Sequence, residues 1–131
     1  MPLKVVQYDA NVNTSFSKNE MLQLKEVYGV SLEKEILSRP NRVLFMKNLL
    51  RNRIVIVNRS NPKDQKKCTL LSEVPLFDAF VSTLQRDLVF NRQEFNPLKY
   101  VFSFYSQGEH MYRVDGTDYF ILVKSQHYTS K

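Results

Sequence analysis

The sequence predicts an α+β fold whose elements follow in the order β-ααα-ββ-α-βββ. Three observations support this order. Apolar residues recur at helical spacing within residues 18–52 and 76–88, residues 54–57 form a β-branched run, and the last third of the chain alternates as strands do. A length of 131 residues suits one domain, so we expect a single domain covering residues 1–131.

Three short helices are predicted to follow a first strand at residues 3–8. Ser17 and Glu20 form a capping box, which starts a helix that Gly29 ends. A second helix is expected over residues 31–37. The third is expected from about residue 41 to residue 52, after Pro40.

A hairpin with a long basic tip is predicted next. Residues 53–58 form its first strand, the polar residues 60–67 form its tip, and residues 68–72 return as its second strand. A fourth helix is then expected over residues 76–88, where apolar side chains recur every three to four positions.

The C-terminal region, residues 99–125, is predicted to be an antiparallel β-meander. Its strands are expected at residues 99–105, 111–114 and 117–124, and Asp115-Gly116 is a strong hairpin turn. Aromatic residues alternate along the first of these strands. Few basic residues lie near them, so we interpret these rings as core packing rather than as a surface for base stacking.

The net charge of +6 comes entirely from one segment. The chain has 19 basic and 13 acidic residues, but residues 39–67 alone hold nine bases against a single acid. The two flanking parts each carry a net charge of −1. A local cluster of this kind can attract a polyanion, whereas an even distribution would only favour solubility. We call residues 39–67 the basic segment.

Three helices followed by a basic hairpin are typical of winged helix-turn-helix proteins, in which the third helix enters the major groove. The residues with suitable chemistry are the helix-face residues Arg42, Lys47, Asn48 and Arg51 and the hairpin residues Arg59, Lys63, Lys66 and Lys67. Residues 49–72 resemble the wing of MarR-type regulators, with a charged tip between two apolar strands. The resemblance implies DNA binding through the wing. The usual glycine before the first wing strand and the dimer helices of that family are absent.

Catalytic patterns are weak in this sequence, and we expect a protein that is not an enzyme. His110 and His127 are the only histidines, and together with Lys124 they have the chemistry for acid–base phosphoryl transfer. They are expected in a turn and in the C-terminal tail, where surface histidines are usual. Asp115 and Asp118 precede Lys124 as in some metal-dependent nucleases, but Leu122 stands where the second metal ligand belongs. No cofactor motif or metal-ligand spacing is present, so neither is expected.

The resulting hypothesis is a non-catalytic nucleic-acid-binding protein, for DNA rather than RNA, acting in transcription or replication control. The alternative is a protein–protein interaction module whose basic segment docks on an acidic partner, with homodimer formation also considered. Without a signal sequence or a membrane-spanning stretch, we expect an intracellular protein of the cytoplasm or nucleus.

Overall fold

Two α-helices and six strands make up the computed structural model, which describes residues 4–60, 68–126 and 128–130. The helices are α1 (Lys18–Tyr28) and α2 (Pro40–Asn48). The strands are β1 (Lys4–Val6), β2 (Ile54–Asn58), β3 (Thr69–Leu70), β4 (His110–Arg113), β5 (Tyr119–Val123) and β6 (Tyr128–Ser130). Two π-type helical turns, Glu33–Leu37 and Leu49–Arg53, flank α2. Short 3₁₀ turns are Ala10–Asn13, Gly29–Ser31, Leu71–Glu73 and Pro97–Lys99.

The local signals at both ends of α1 are confirmed. Ser17 Oγ accepts a hydrogen bond from the Glu20 amide at 3.1 Å, and Glu20 Oε1 accepts one from the Ser17 amide at 2.8 Å. Gly29 follows the helix with φ of 54° and ψ of −131°, a conformation that favours glycine. The predicted second and third helices correspond to the Glu33–Leu37 turn and to α2 with the Leu49–Arg53 turn that follows it.

The predicted basic hairpin is wrong, and with it the winged-helix order and the resemblance to a MarR-type wing. The larger sheet has the strand order β2-β5-β4-β3, so β2 and β3 lie at opposite edges, about 14 Å apart at the usual strand spacing. Strand β2 pairs antiparallel with β5, while the two residues of β3 pair in parallel with β4. Strand β5 is the most buried strand, and pairing on both sides satisfies its backbone within the core.

The predicted fourth helix is also wrong. Residues 75–77 are extended against residues 99–101, because the Phe77 amide donates to the Lys99 carbonyl at 2.7 Å and the Val101 amide donates to the Pro75 carbonyl at 2.9 Å. Residues 78–96 consist of turns and irregular backbone. The run Val81-Ser82-Thr83 has low helix propensity, which weakens the predicted helix. The backbone hydrogen bonds of residues 75–77 with residues 99–101 form instead of a helical turn at the start of this segment.

The predicted three-stranded meander is reduced to one hairpin. Strands β4 and β5 pair antiparallel, and Gly116 has φ of 69° in the turn between them, as the Asp115-Gly116 pair predicts. Residues 101–105 form no strand. The amides of Phe102 and Phe104 instead bond to carbonyls two residues earlier, which removes them from any ladder.

Two hydrophobic clusters form the core. One lies between the larger sheet and residues 71–102 and includes Tyr100, Phe102, Tyr112 and Ile121. The other joins α1, α2 and Leu98. Ile54 and Phe104 pack against both clusters, so they link the helices to the sheet. Within the described part of the chain, no helix is long and apolar enough to cross a membrane.

Candidate functional site

Arg51, predicted to face nucleic acid, instead ties α2 to the start of α1. Its Nε and Nη2 atoms donate to the two carboxylate oxygens of Glu20 at 2.9 and 2.8 Å. Its remaining hydrogen bonds go to Asn11, Thr14 and Ser15. Both charged side chains are only 14% exposed. The hydrogen bond from Arg51 holds the pKa of the Glu20 carboxyl below its ordinary value, so this ion pair stays formed at neutral pH.

Asn48 and Lys47 lie on the same side of the protein as Arg51. Asn48 is buried, and its Oδ1 accepts a hydrogen bond from Asn52 Nδ2 at 2.8 Å. Asn52 in turn bonds to Asn11. The Lys47 ammonium lies 5.3 Å from the centre of the Phe16 ring. Two residues of the predicted recognition face, Lys47 and Arg51, therefore contact residues 11–20.

Arg42 lies on a different side of α2 and is half exposed. Its Nη1 atom donates to the Glu35 carboxylate at 3.1 Å and to the Glu35 carbonyl at 2.9 Å. Both bonds come from one nitrogen. The Nε and Nη2 atoms form no hydrogen bond with any described residue. These two atoms form one edge of the guanidinium group, and such an edge is able to donate two parallel hydrogen bonds to two phosphate oxygens.

The other predicted contacts are not gathered around α2. Arg59 is exposed just after β2, and its Nη1 atom lies 3.9 Å from Met111 Sδ. Lys63, Lys66 and Lys67 lie outside the described residues. Arg53, which also belongs to the basic segment, is 2% exposed and donates to the carbonyls of Phe104 and Lys124.

A cleft lined mostly by aromatic rings opens beside the N-terminal end of α2. It consists of two adjoining cavities of about 480 and 160 Å³, which together we call the aromatic cleft. Five residues line both cavities: Tyr28, Phe45, Met46, Phe77 and Tyr105. Glu35, Asn41 and Arg42 add polar groups to the larger cavity. The Phe45 and Tyr105 rings stack with centres 5.0 Å apart and planes at 13°, and Tyr105 is 77% exposed. One face of the Tyr105 ring is thus covered by Phe45.

Tyr28 contributes a polar atom to this cleft. The residue is 8% exposed, and its hydroxyl forms no hydrogen bond with any described residue. Burial raises the pKa of Tyr28 to about 12, with smaller effects of Tyr105, Arg42 and Glu35. The phenol therefore stays protonated at neutral pH and is able to donate or accept a hydrogen bond in the cleft.

Sequence reasoning missed this cleft, although one signal for it was present. The alternation of residues 100–105 placed Tyr105 opposite Tyr100 and Phe102, and the burial agrees: Tyr100 and Phe102 are buried whereas Tyr105 is exposed. Core packing is confirmed for Tyr100 and Phe102. The partners of Tyr105 come from α1, α2 and residue 77, which no local pattern could associate with it.

The structure describes only some of the weak catalytic candidates. His110 Nε2 lies 2.8 Å from Ser106 Oγ, and His127 is outside the described residues. Asp115 accepts hydrogen bonds from the amide and hydroxyl of Ser72, and these bonds hold the pKa of its carboxyl below the ordinary value. Among the residues described, no three His, Cys, Asp or Glu side chains are grouped as a metal site would require.

Comparison with known proteins gives no relative. No family model, curated protein or solved structure matches the chain. Any functional proposal therefore depends on the residues and their geometry.

Proposed function

We propose that the protein is a non-catalytic nucleic-acid-binding protein whose phosphate contacts come from the basic segment. The observation that carries this proposal is the concentration of nine bases against one acid within residues 39–67. In its described part, Arg39 and Arg59 are exposed and form no ion pair with a described residue. Arg42 is half exposed and keeps its Nε and Nη2 atoms for a ligand. Such cations attract phosphate groups without regard to sequence.

The contact set proposed here is narrower than the set predicted from sequence. Arg51 and Asn48 are left out because their polar groups hold residues 11–20 and Asn52. Arg42, Lys47, Arg59, Lys63, Lys66 and Lys67 remain. The preference for DNA and the role in transcription or replication control depended on the winged-helix order, so the proposal covers DNA and RNA alike.

The salt dependence of binding tests this proposal. We compare the wild-type protein with a triple variant, Lys63→Ala, Lys66→Ala and Lys67→Ala, on single strands, duplex DNA and duplex RNA. The logarithm of the binding constant should fall with the logarithm of salt concentration. In the variant the slope should become shallower by about 0.9 per lost duplex contact or about 0.7 per lost single-strand contact.

A matched control removes the same charge elsewhere. Lys18, Lys25 and Lys34 are exposed and lie before the basic segment. Replacing these three by alanine lowers the net charge equally and should leave the slope nearly unchanged. If both triple variants lose the same affinity, nucleic-acid binding depends on net charge alone, and the phosphate contacts are not specific to the basic segment. If neither loses any, or if the wild-type protein binds no nucleic acid, the proposal fails.

A protein–protein interaction module is the second candidate, and exposed apolar side chains favour it. Leu88 is 99% exposed and Val89 is 82% exposed, although the residues on either side of them, Asp87 and Phe90, contact the rest of the fold. Exposed side chains of this kind often mark contact surfaces. Light scattering of the wild-type protein and of a Leu88→Ser, Val89→Ser variant tests this candidate. A wild-type protein that is monomeric at all concentrations and binds no acidic peptide would exclude homodimer formation and docking on an acidic partner.

A further inference from the structure

The aromatic cleft combines the three features that a nucleotide requires. It offers ring surfaces, a guanidinium edge and a tyrosine hydroxyl within one concave site. We propose that it binds one 5′-nucleotide unit, with the base on the ring of Tyr105 and the phosphate on the Nε and Nη2 atoms of Arg42. Where the unit belongs to a nucleic-acid strand, this inference rests on the proposed function. A free mononucleotide offers the same chemistry, and the experiment below separates the two sources.

Tyr105 provides the stacking surface. Its ring is held parallel to Phe45, yet the residue is 77% exposed, so a planar ligand can stack on the face that Phe45 leaves open. Tyr28, Phe77 and Phe80 form a second group of rings in the larger cavity, with centres 5.2 to 5.9 Å apart. An unpaired base prefers such ring surfaces because each base offers a flat π face. A cleft of about 480 Å³ is within the range of small-ligand sites.

Arg42 provides the anion contact, and Glu35 positions it. Both bonds from Arg42 to Glu35 use Nη1, which fixes the guanidinium group while its other edge is left for a ligand. Two parallel bonds from that edge match two phosphate oxygens. Arg42 is the third residue of α2, so the positive end of the helix dipole lies beside it.

Tyr28 contributes a neutral polar group to the aromatic cleft. Its hydroxyl is the polar end of a buried residue that lines both cavities, and it has no hydrogen-bond partner among the described residues. This hydroxyl is able to donate and to accept a hydrogen bond, and the edge of a nucleobase offers both donors and acceptors. The hydroxyl would bond to the base that stacks on Tyr105.

Isothermal titration of the full chain at low salt tests the inference with four probes: adenosine 5′-monophosphate, adenosine, inorganic phosphate and an unpaired oligonucleotide. Tyr105→Ala should weaken binding of the mononucleotide about 5- to 100-fold, the range expected from one base–aromatic stack. Tyr105→Phe should restore it, because phenylalanine keeps the ring. Arg42→Gln should weaken the mononucleotide but leave adenosine unchanged. Tyr28→Phe, which removes only the hydroxyl, should weaken adenosine and its monophosphate equally.

Val30→Ala is the matched control, since Val30 is fully exposed and does not line the cleft. It should bind all probes as the wild type does. Circular dichroism of each variant establishes that the fold is retained. Equal binding of the mononucleotide by wild type, Tyr105→Ala and Arg42→Gln would overturn the inference. So would a wild-type protein that binds neither the mononucleotide nor the oligonucleotide.

The two proposals fail in different ways. If the Lys63, Lys66 and Lys67 variant weakens oligonucleotide binding while the cleft variants change the binding of neither the oligonucleotide nor the mononucleotide, the proposed function holds and the cleft inference is overturned. If the mononucleotide binds in the cleft but no oligonucleotide binds, the cleft is a site for a free nucleotide and the proposed function fails. If the cleft variants weaken both ligands, the cleft takes an unpaired residue of a strand.

Discussion

Replacing Arg51 by methionine should lower the free energy of unfolding by about 3 kcal/mol. Methionine keeps most of the aliphatic volume and removes the guanidinium group. The two bonds to Glu20 join charged groups, and such bonds contribute at least about 1.5 kcal/mol each. The carbonyls of Asn11, Thr14 and Ser15 belong to exposed residues, where water is able to replace the lost donor. We therefore assign no loss of unfolding free energy to these three bonds.

Urea unfolding followed by circular dichroism measures this change. For a chain of 131 residues the loss corresponds to a fall of about 10 °C in the melting temperature. Arg51→Lys should recover only part of the stability, because an ammonium group cannot reproduce the paired bonds to Glu20. Arg39→Met is the control. Arg39 is exposed, and its side chain makes one hydrogen bond with a described residue, to the Lys34 carbonyl at 3.1 Å, so its loss should change stability by less than about 0.5 kcal/mol.

The pH dependence gives a second readout of the same pair. Arg51 keeps the folded-state pKa of Glu20 below its ordinary value of 4.5. The pair therefore stabilises the fold above that pH, and this contribution is lost as the pH falls through the folded-state pKa. Glu20→Gln should be less stable than the wild type at pH 7, and the two should converge in acid. A loss below about 1 kcal/mol for Arg51→Met, or full stability of Arg51→Lys, would refute the anchoring role.

Two further predictions concern backbone and burial. Gly29→Ala should lower the free energy of unfolding in urea by about 1–3 kcal/mol, because φ is +54° and the added Cβ would lie 3.1 Å from Val81 Cγ2. Gly108→Ala is the control and should cost much less, since the nearest atom to its added Cβ is Ser106 Oγ at 3.7 Å. Equal losses in the two variants would contradict this reasoning. Burial raises the pKa values of Tyr28 and Tyr100 to about 12, from an ordinary value of 10. Stability should therefore fall as the pH rises from 10 towards 12, and the last phenolate absorbance to appear should vanish when both are replaced by phenylalanine.

Signals that span a few residues predicted their elements well. The capping box of α1, Gly29 at its end and the turn at Asp115-Gly116 each depend on atoms within four residues of one another. The errors arose where two distant segments compete for the same backbone. Strand β2 pairs with β5 rather than with its neighbour β3, and residues 75–77 pair with residues 99–101 rather than coil into a helix. Local periodicity does not report such pairings.

The candidate site was mispredicted for an electrostatic reason. A count of charges treats each arginine as free, yet the partner of Arg51 is Glu20, 31 positions away, and Arg53 is enclosed by the core. The alternation of Tyr105 with Phe102 and Tyr100 was readable from the sequence, but the rings that make Tyr105 part of a cleft come from other elements.

The described cations of the basic segment have two different roles, one in holding the fold and one in presenting a charged group to a ligand. Arg51 and Arg53 hold the fold, so replacing them would weaken ligand binding through a loss of stability rather than through a lost contact. Arg42 is held by Glu35 through one nitrogen and keeps its other edge for an anion. A loss of nucleic-acid binding is therefore informative only for variants that retain wild-type unfolding energy. For Arg42→Gln, unchanged stability with weaker phosphate binding would identify a ligand contact, whereas a parallel loss of both would assign Arg42 to the fold as well.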